Sequence, residues 1–233
     1  MAKHKLTGDC VAELLETNQV KYQKNLNGYF GQFETRKFTK AKYVLRGEKP
    51  SGYTGKFFEQ YSALSQAEEF DGNNVSAAIC LSITGSGFWV SSLLNEKFDI
   101  KPLEIEKYTD ISDTPDDYFA DDSKFQEIYK RMLTINGIGP VTATKLLASK
   151  APCIFPVRDR DVSRLFEATN LPEPFKYLEW CRKMRLLMKH QDVRTNLENM
   201  RKMLSQNLSS ASNTAHLPSL LRVFDVIFWV EAQ

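Results

Sequence analysis

Gly137 and Gly139, followed at once by Pro140, constrain this chain more than any other stretch. Upstream, Phe125, Ile128, Tyr129, Met132 and Leu133 recur at helical spacing, and Ser123 with Gln126 three residues later has the form of a capping box. The two glycines offer backbone angles that a side chain resists, and proline, with its fixed φ, suits the first turn of a new helix. The spacing therefore predicts helix, tight turn and helix, the second helix stopping near Lys150 because Pro152 cannot continue it.

A Gly-Ile-Gly turn at a helix start lets a nucleic-acid backbone approach closely, with first-turn N–H groups donating to a phosphate. Residues 130–202 carry fifteen Lys and Arg against seven Asp and Glu, net +8, in a chain of net charge +2. That asymmetry suits phosphate recognition and says nothing about base sequence. A plain helical hairpin uses the same turn, so both readings stand at this point. Further on, Asp159 precedes a short run whose apolar face is Val162, Leu165 and Phe166. There it is either an N-cap, a role worth about 1 kcal/mol, or a reactive carboxylate, with Asp161 as the spare acid.

Taken together, Gly137-Ile138-Gly139, Thr142-Ala143, Asp159 twenty residues after Gly139, and Val162 with Arg164 resemble the helix-hairpin-helix DNA glycosylase superfamily. Residues 74–84, an apolar helix ending in Leu81-Ser82, resemble the helix that opens that family's core, so the resemblance spans residues 70–167. It implies an all-α fold of two intermingled helical layers, with the hairpin and Asp159 at the mouth of a cleft. It implies DNA, or RNA, as partner, with nucleic-acid contacts at Gly137, Ile138, Gly139, Thr142, Lys145 and Arg164; this chain is expected to carry neither metal nor other cofactor. Asp159 would be the catalytic residue of a monofunctional glycosylase. Breaking an N-glycosidic bond needs stabilisation of a cationic sugar and a water aimed at its anomeric carbon, which one carboxylate can supply once the base has left the stack.

The chain also departs from the family. Val141 stands where members with lyase activity carry a Schiff-base lysine, Thr84 stands near a gap-filling glutamine, and Arg158 replaces an apolar residue. With no amine at position 141, hydrolysis alone is expected, leaving the abasic site uncut; Lys145, one turn further along, is the weaker candidate for a substitute amine. A non-catalytic nucleic-acid binder on the same scaffold and a protein-interaction module are the competing readings. Residues 53–59 and 221–229 resemble an uncharacterised actinobacterial protein family.

A chain of 233 residues, 42% hydrophobic and 26% charged, suits one globular unit, read as a core of residues 70–167 with residues 1–69 and 168–233 as a flanking helical layer. No apolar run reaches the roughly 18 residues that would cross a bilayer, and the first ten residues hold no signal-like stretch, so a cytoplasmic protein without a membrane partner is expected; oligomeric state is not legible. Cys10, Cys80, Cys153 and Cys181 are scattered, which argues against zinc, a disulfide framework and a four-cysteine iron–sulfur loop.

Helical spacing is read at Val11, Leu14 and Leu15, then at Tyr22, Leu26, Tyr29, Phe30 and Phe33, and over residues 56–66 with Phe57, Phe58, Tyr61 and Leu64 inward. Residues 36–46 interleave five basic residues with Phe38 and Tyr43, a pattern that suits a nucleic-acid strand or, more plainly, a solvated loop; residues 48–52 read as a turn. Glycines at 85 and 87 divide two helices, 74–83 and 88–95. Six aspartates between 108 and 122 read as a solvated acidic linker. A turn at 170–174 leads to a helix with Trp180, Met184, Leu187 and Met188 inward and Arg182, Lys183, Arg185 and Lys189 outward, then to one marked by Val193, Leu197, Met200 and Leu204. Residues 205–216 form a polar linker, and an amphipathic helix closes the chain with Asp225 on its rim or in a structural pair. His4, His190 and His216 receive no role.

Overall fold

The computed structural model describes residues 4–30, 54–65, 69–83, 87–95, 98–166, 171–209 and 217–232. The basic-aromatic stretch 36–46, the turn 48–52, Thr84, Gly85 and most of the polar linker lie outside them. The described residues contain eleven α-helices and no strand: α1 Gly8–Thr17, α2 Gln19–Phe30, α3 Phe58–Leu64, α4 Gly72–Cys80, α5 Gly87–Asn95, α6 Lys124–Thr134, α7 Pro140–Lys150, α8 Arg160–Leu165, α9 Phe175–Lys189, α10 Gln191–Ser209 and α11 Leu220–Glu231. None is long and apolar enough to cross a membrane.

The helices pack as two sets. In one, α3 and α4 lie together against α7, which in turn meets α6; in the other, α1, α2, α9 and α11 surround α10, and α8 rests on α11. The first set is pinned by polar contacts. The Asp71 carboxylate caps α4 by accepting the N–H of Asn73 at 2.8 Å and of Asn74 at 3.0 Å, while the Asn74 side chain accepts the Asp71 N–H. Asn74, fully buried, also donates to the Ser149 carbonyl of α7, and Ser62 of α3 donates to the same carbonyl at 2.6 Å. This network fixes the start of α4 against α7, and the far end of the helix carries Leu81, its C-cap, to the cleft described below.

Between α6 and α9 the core is aromatic: Phe125 stacks on Phe155 at 5.2 Å and on Tyr129, and Tyr129 meets Tyr177. Ser123 caps α6 by accepting the Gln126 N–H, but the reciprocal half of the expected box is absent, because the Gln126 side chain instead accepts from Lys130 at 2.8 Å. Helix α3 turns a different face inward from the one its spacing suggested. Phe58, Glu59 and Ser62 are buried, while Phe57, Tyr61 and Leu64 are exposed, since a single turn of 3-10 helix over Thr54–Phe57 rotates the entry to the helix.

Residues 108–122 are corrected in part: Asp113, Asp116, Asp117, Asp121 and Asp122 are exposed, as expected of a solvated acidic stretch, but the segment is tied to α9 and α10 instead of running free. Ile111, Thr114 and Phe119 are buried. Arg185, itself buried, donates through Nε to the Thr114 carbonyl at 2.8 Å and pairs with Asp116 at 2.6 Å; Arg182 donates to the Phe119 carbonyl and pairs with Asp121; Arg194 reaches Ser112. Guanidinium groups thereby satisfy loop carbonyls that burial would otherwise strand, and aspartates neutralise the guanidiniums. Part of the basic excess of residues 130–202 is consequently neutralised by the chain's own aspartates. Helix α11 differs as well, being buried without a break from Leu220 to Phe228 instead of presenting a polar face.

Candidate active-site cleft

The turn between α6 and α7 takes its shape from one glycine. Gly137 adopts φ 88, a left-handed angle that side chains resist, whereas Gly139, the N-cap of α7, sits at φ −86 with open space where a Cβ would lie. Both glycines are exposed. No side chain caps α7, so its first-turn N–H groups face outward from an exposed turn. Ile138, in contrast, is buried in the core, and its N–H donates to the Ile135 carbonyl. Thr142 is half-buried, and Arg164 is exposed beside Asp161 at 3.4 Å.

Helix α7 then runs inward, and every residue from Ala143 to Ser149 is buried, Lys145 among them at 6% exposure. The Lys145 ammonium donates at 2.6 Å to the carbonyl of Leu81, the C-cap of α4, where the end of a helix leaves acceptors unfilled. Its Nζ lies 3.9 Å from Oδ2 of Asp159. Asp159 is the N-cap of α8, accepting the Asp161 N–H through Oδ1 at 2.8 Å. The cap thus occupies one carboxylate oxygen, and the other faces Lys145.

Helix α11 supplies the far wall. Arg222 and Asp225, one turn apart, are both buried and hydrogen-bonded to each other; Arg222 also bonds the Tyr29 hydroxyl of α2 and pairs with Glu59 of α3 at 3.3 Å. Its guanidinium lies over the Tyr29 ring at 5.1 Å and the Phe58 ring at 5.4 Å. A cleft with about 280 Å³ of empty space, part of it open to solvent, is bounded by Tyr29, Leu81, Lys145, Val157, Asp159, Arg222, Asp225, Val226 and Trp229.

Lys145, Asp159, Arg222 and Asp225 therefore line one cleft, and Glu59 is buried beside Arg222. Burial pushes the Glu59 carboxyl up to about 7 against the opposing pull of Arg222. Burial likewise raises Asp225 to about 6, with Arg222 opposing and the nearby Asp159 charge adding to the rise. The Lys145 ammonium is pushed below the usual lysine range by burial, opposed by Asp159 and then Asp225. Among the described residues no cluster of His, Cys, Asp and Glu is arranged to hold a metal ion.

Of the residues singled out from sequence, Lys145 and Asp159 are brought together in the cleft, while Gly137, Gly139 and Arg164 lie on exposed turns or helix surface. Arg158, which replaces an apolar residue of the family resembled, pairs with Glu173 at 2.5 Å. Tyr29, Glu59 and Arg222 were missed. Only Arg222 left a trace in the sequence, as an arginine three residues before Asp225 in an otherwise apolar helix. No curated protein and no solved structure matches the chain. Residues 24–232 match a family of unknown function, DUF6308, and the chain belongs to that family.

Proposed function

We propose that this is a DNA-binding protein in which α4 to α8 form a helix-hairpin-helix glycosylase-type core, the turn at Gly137 and Gly139 holds a phosphate, and the cleft receives a base swung out of the duplex. Asp159 is the carboxylate that stabilises the cationic sugar and directs water to it. One observation carries the reading: Asp159 caps α8 with Oδ1 alone, and Oδ2 remains facing Lys145 at the cleft. The exposed, uncapped start of α7, twenty residues upstream, supports the phosphate contact. The resemblance over residues 70–167 points the same way.

A non-catalytic reading is favoured by a different observation. The α9 arginines Arg182 and Arg185, part of the basic excess of residues 130–202, are engaged by Asp121, Asp116 and the loop carbonyls, leaving fewer charges for a polyanion. The two readings separate on base excision from a panel of damaged-base duplexes by wild type and Asp159→Asn, with melting temperature measured alongside. Excision that falls at least a hundredfold in a variant of unchanged stability supports catalysis; salt-sensitive binding without excision by either protein leaves a binder only.

A further inference from the structure

Asp225 carries two oxygens into a buried position, and only one of them is matched. Its Oδ2 accepts from Arg222, whereas Oδ1 is buried and meets no hydrogen-bond donor among the described residues. The residue is 6% exposed, so an unmet carboxylate oxygen there is costly and asks for an explanation. Holding Arg222 in place explains Oδ2 alone. Asp225 also lines two voids, the cleft described above and a second one of about 200 Å³; Val157 and Arg222 belong to both, and Phe58, Ala148, Phe155 and Leu221 help to close the second. Tyr29 and Trp229, their rings 6.1 Å apart, give the first an aromatic wall. Flat rings and aliphatic groups therefore surround this carboxylate, with Arg222, Asp159, Lys145 and Glu59 as the charges that act on it or feel it.

We infer that Asp225 is a specificity-determining residue of the cleft, its Oδ1 accepting an N–H from the edge of a flat, amino-bearing heterocycle; on the reading proposed above, on which this identification of the ring rests, that heterocycle is the extruded base. A mostly apolar and aromatic lining with one or two placed polar groups holds a small ring by its faces and chooses among rings of one shape by their edges. An amine on the edge supplies the donor that Oδ1 lacks. A uracil-type edge instead flanks its single N–H with two carbonyl oxygens, which a carboxylate repels, and a repelled edge is how a site rejects a near-isostere. The Asp225 carboxyl, raised to about 6, is still ionised at pH 7.5 and there accepts a hydrogen bond rather than donating one. Asp225 belongs to α11, outside residues 70–167, so the stretch that resembles the glycosylases does not supply this role.

The test follows the Trp229 indole N–H by NMR on the full chain at pH 7.5 while 1-methylcytosine or 1,3-dimethyluracil is added, two rings of like shape of which only the first carries a donor. Trp229 lines the cleft, so its signal reports entry. Wild type is expected to bind 1-methylcytosine at least about fivefold more tightly, the gain from one charge-assisted hydrogen bond. In Asp225→Asn the amide oxygen takes the Arg222 bond and the NH2 group is left for the ligand, so the preference moves to 1,3-dimethyluracil. Equal binding of the two rings, binding of neither, or an unchanged preference in a folded Asp225→Asn overturns the inference. The first comparison is made on wild type, so a variant that fails to fold does not blunt the result. A duplex with one unpaired cytosine separates the two proposals. A preference between the rings without salt-sensitive duplex binding upholds Asp225 and removes the DNA reading, whereas duplex binding with equal affinity for the two rings overturns the role of Asp225 and leaves the DNA reading standing.

Discussion

Asp159 serves two neighbours with two different oxygens: Oδ1 accepts the Asp161 N–H at 2.8 Å and Oδ2 lies 3.9 Å from Lys145 Nζ. Capping and chemistry are therefore compatible at this residue, and they come apart under substitution.

Asp159→Asn keeps a side chain competent to cap α8, so the cap itself survives, while the negative charge facing Lys145 is lost. Asp159→Ala removes both and is expected to cost about 1 kcal/mol more in stability than Asn, from the cap alone. Urea melts of the two variants give this comparison directly. Equal stabilities would mean that Oδ1 does not cap in solution.

The two glycines of the turn are expected to behave oppositely. Gly137→Ala forces a Cβ into the left-handed region and should destabilise by about 1–2 kcal/mol. Gly139→Asp meets open space at an ordinary φ and places a favoured N-cap on α7, so the melting temperature holds or rises. If the uncapped N–H groups bind phosphate, the same Gly139→Asp variant loses duplex affinity by tenfold or more at low salt. Retained affinity in the well-folded variant would show that the turn is only a turn.

Arg185 connects α9 to the acidic segment through the Thr114 carbonyl and Asp116. Arg185→Ala strands a buried carbonyl and should cost about 2–4 kcal/mol, whereas Asp116→Asn, whose carboxylate is exposed, should change stability little. Hydrogen exchange would read the first as early opening of residues 110–121. Unaltered protection there in Arg185→Ala would show that Arg185 does not hold residues 110–121 in place.

Stability should rise, not fall, as pH is lowered from 7 toward 5. Glu59 and Asp225 are held above their ordinary values at about 7 and about 6, so the folded protein binds protons more tightly than the unfolded chain across that window. The strain of their buried charges is relieved as each is protonated and is fully gone below the ordinary carboxyl range, an effect of up to ~3 kcal/mol for each group. Asp113, held below its ordinary value chiefly by the Thr109 hydroxyl, and Asp116, held there chiefly by Arg185, act in the reverse sense only at lower pH. Denaturant midpoints measured at pH 5, 6, 7 and 8 test the slope, which should flatten in Glu59→Gln. A midpoint that falls steadily below pH 7 would contradict the assignment.

Much of this molecule is written locally. Helical spacing marked α1, α2, α6, α7, α9 and α10, and the inward sets Trp180, Met184, Leu187, Met188 and Val193, Leu197, Met200, Leu204 are all buried, although α9 also buries Tyr177, Leu178, Cys181 and Arg185, the last read as outward. Pro140 and Pro152 placed both ends of α7 because proline acts on the backbone beside it. Periodicity could not orient α3, since a 3-10 turn before it rotates its face, nor reveal that α11 is buried on every side, because amphipathic spacing records only the strongest stripe.

What tertiary structure alone decided are the pairings across long separations. The sequence shows six aspartates in one place and the arginines of α9 in another; that Asp116 meets Arg185 and Asp121 meets Arg182 depends on how two surfaces close, which no local pattern encodes. The cleft is of the same kind. Asp159 was legible from its place after the hairpin, but Lys145, buried in mid-helix, gained its carboxylate neighbour only when α7, α8 and α11 converged, and Tyr29, Glu59 and Arg222 met from helices at opposite ends of the chain. Burial then changed their chemistry, because the desolvation that raises Glu59 and Asp225 and lowers Lys145 is a property of the assembled volume and not of any residue in it.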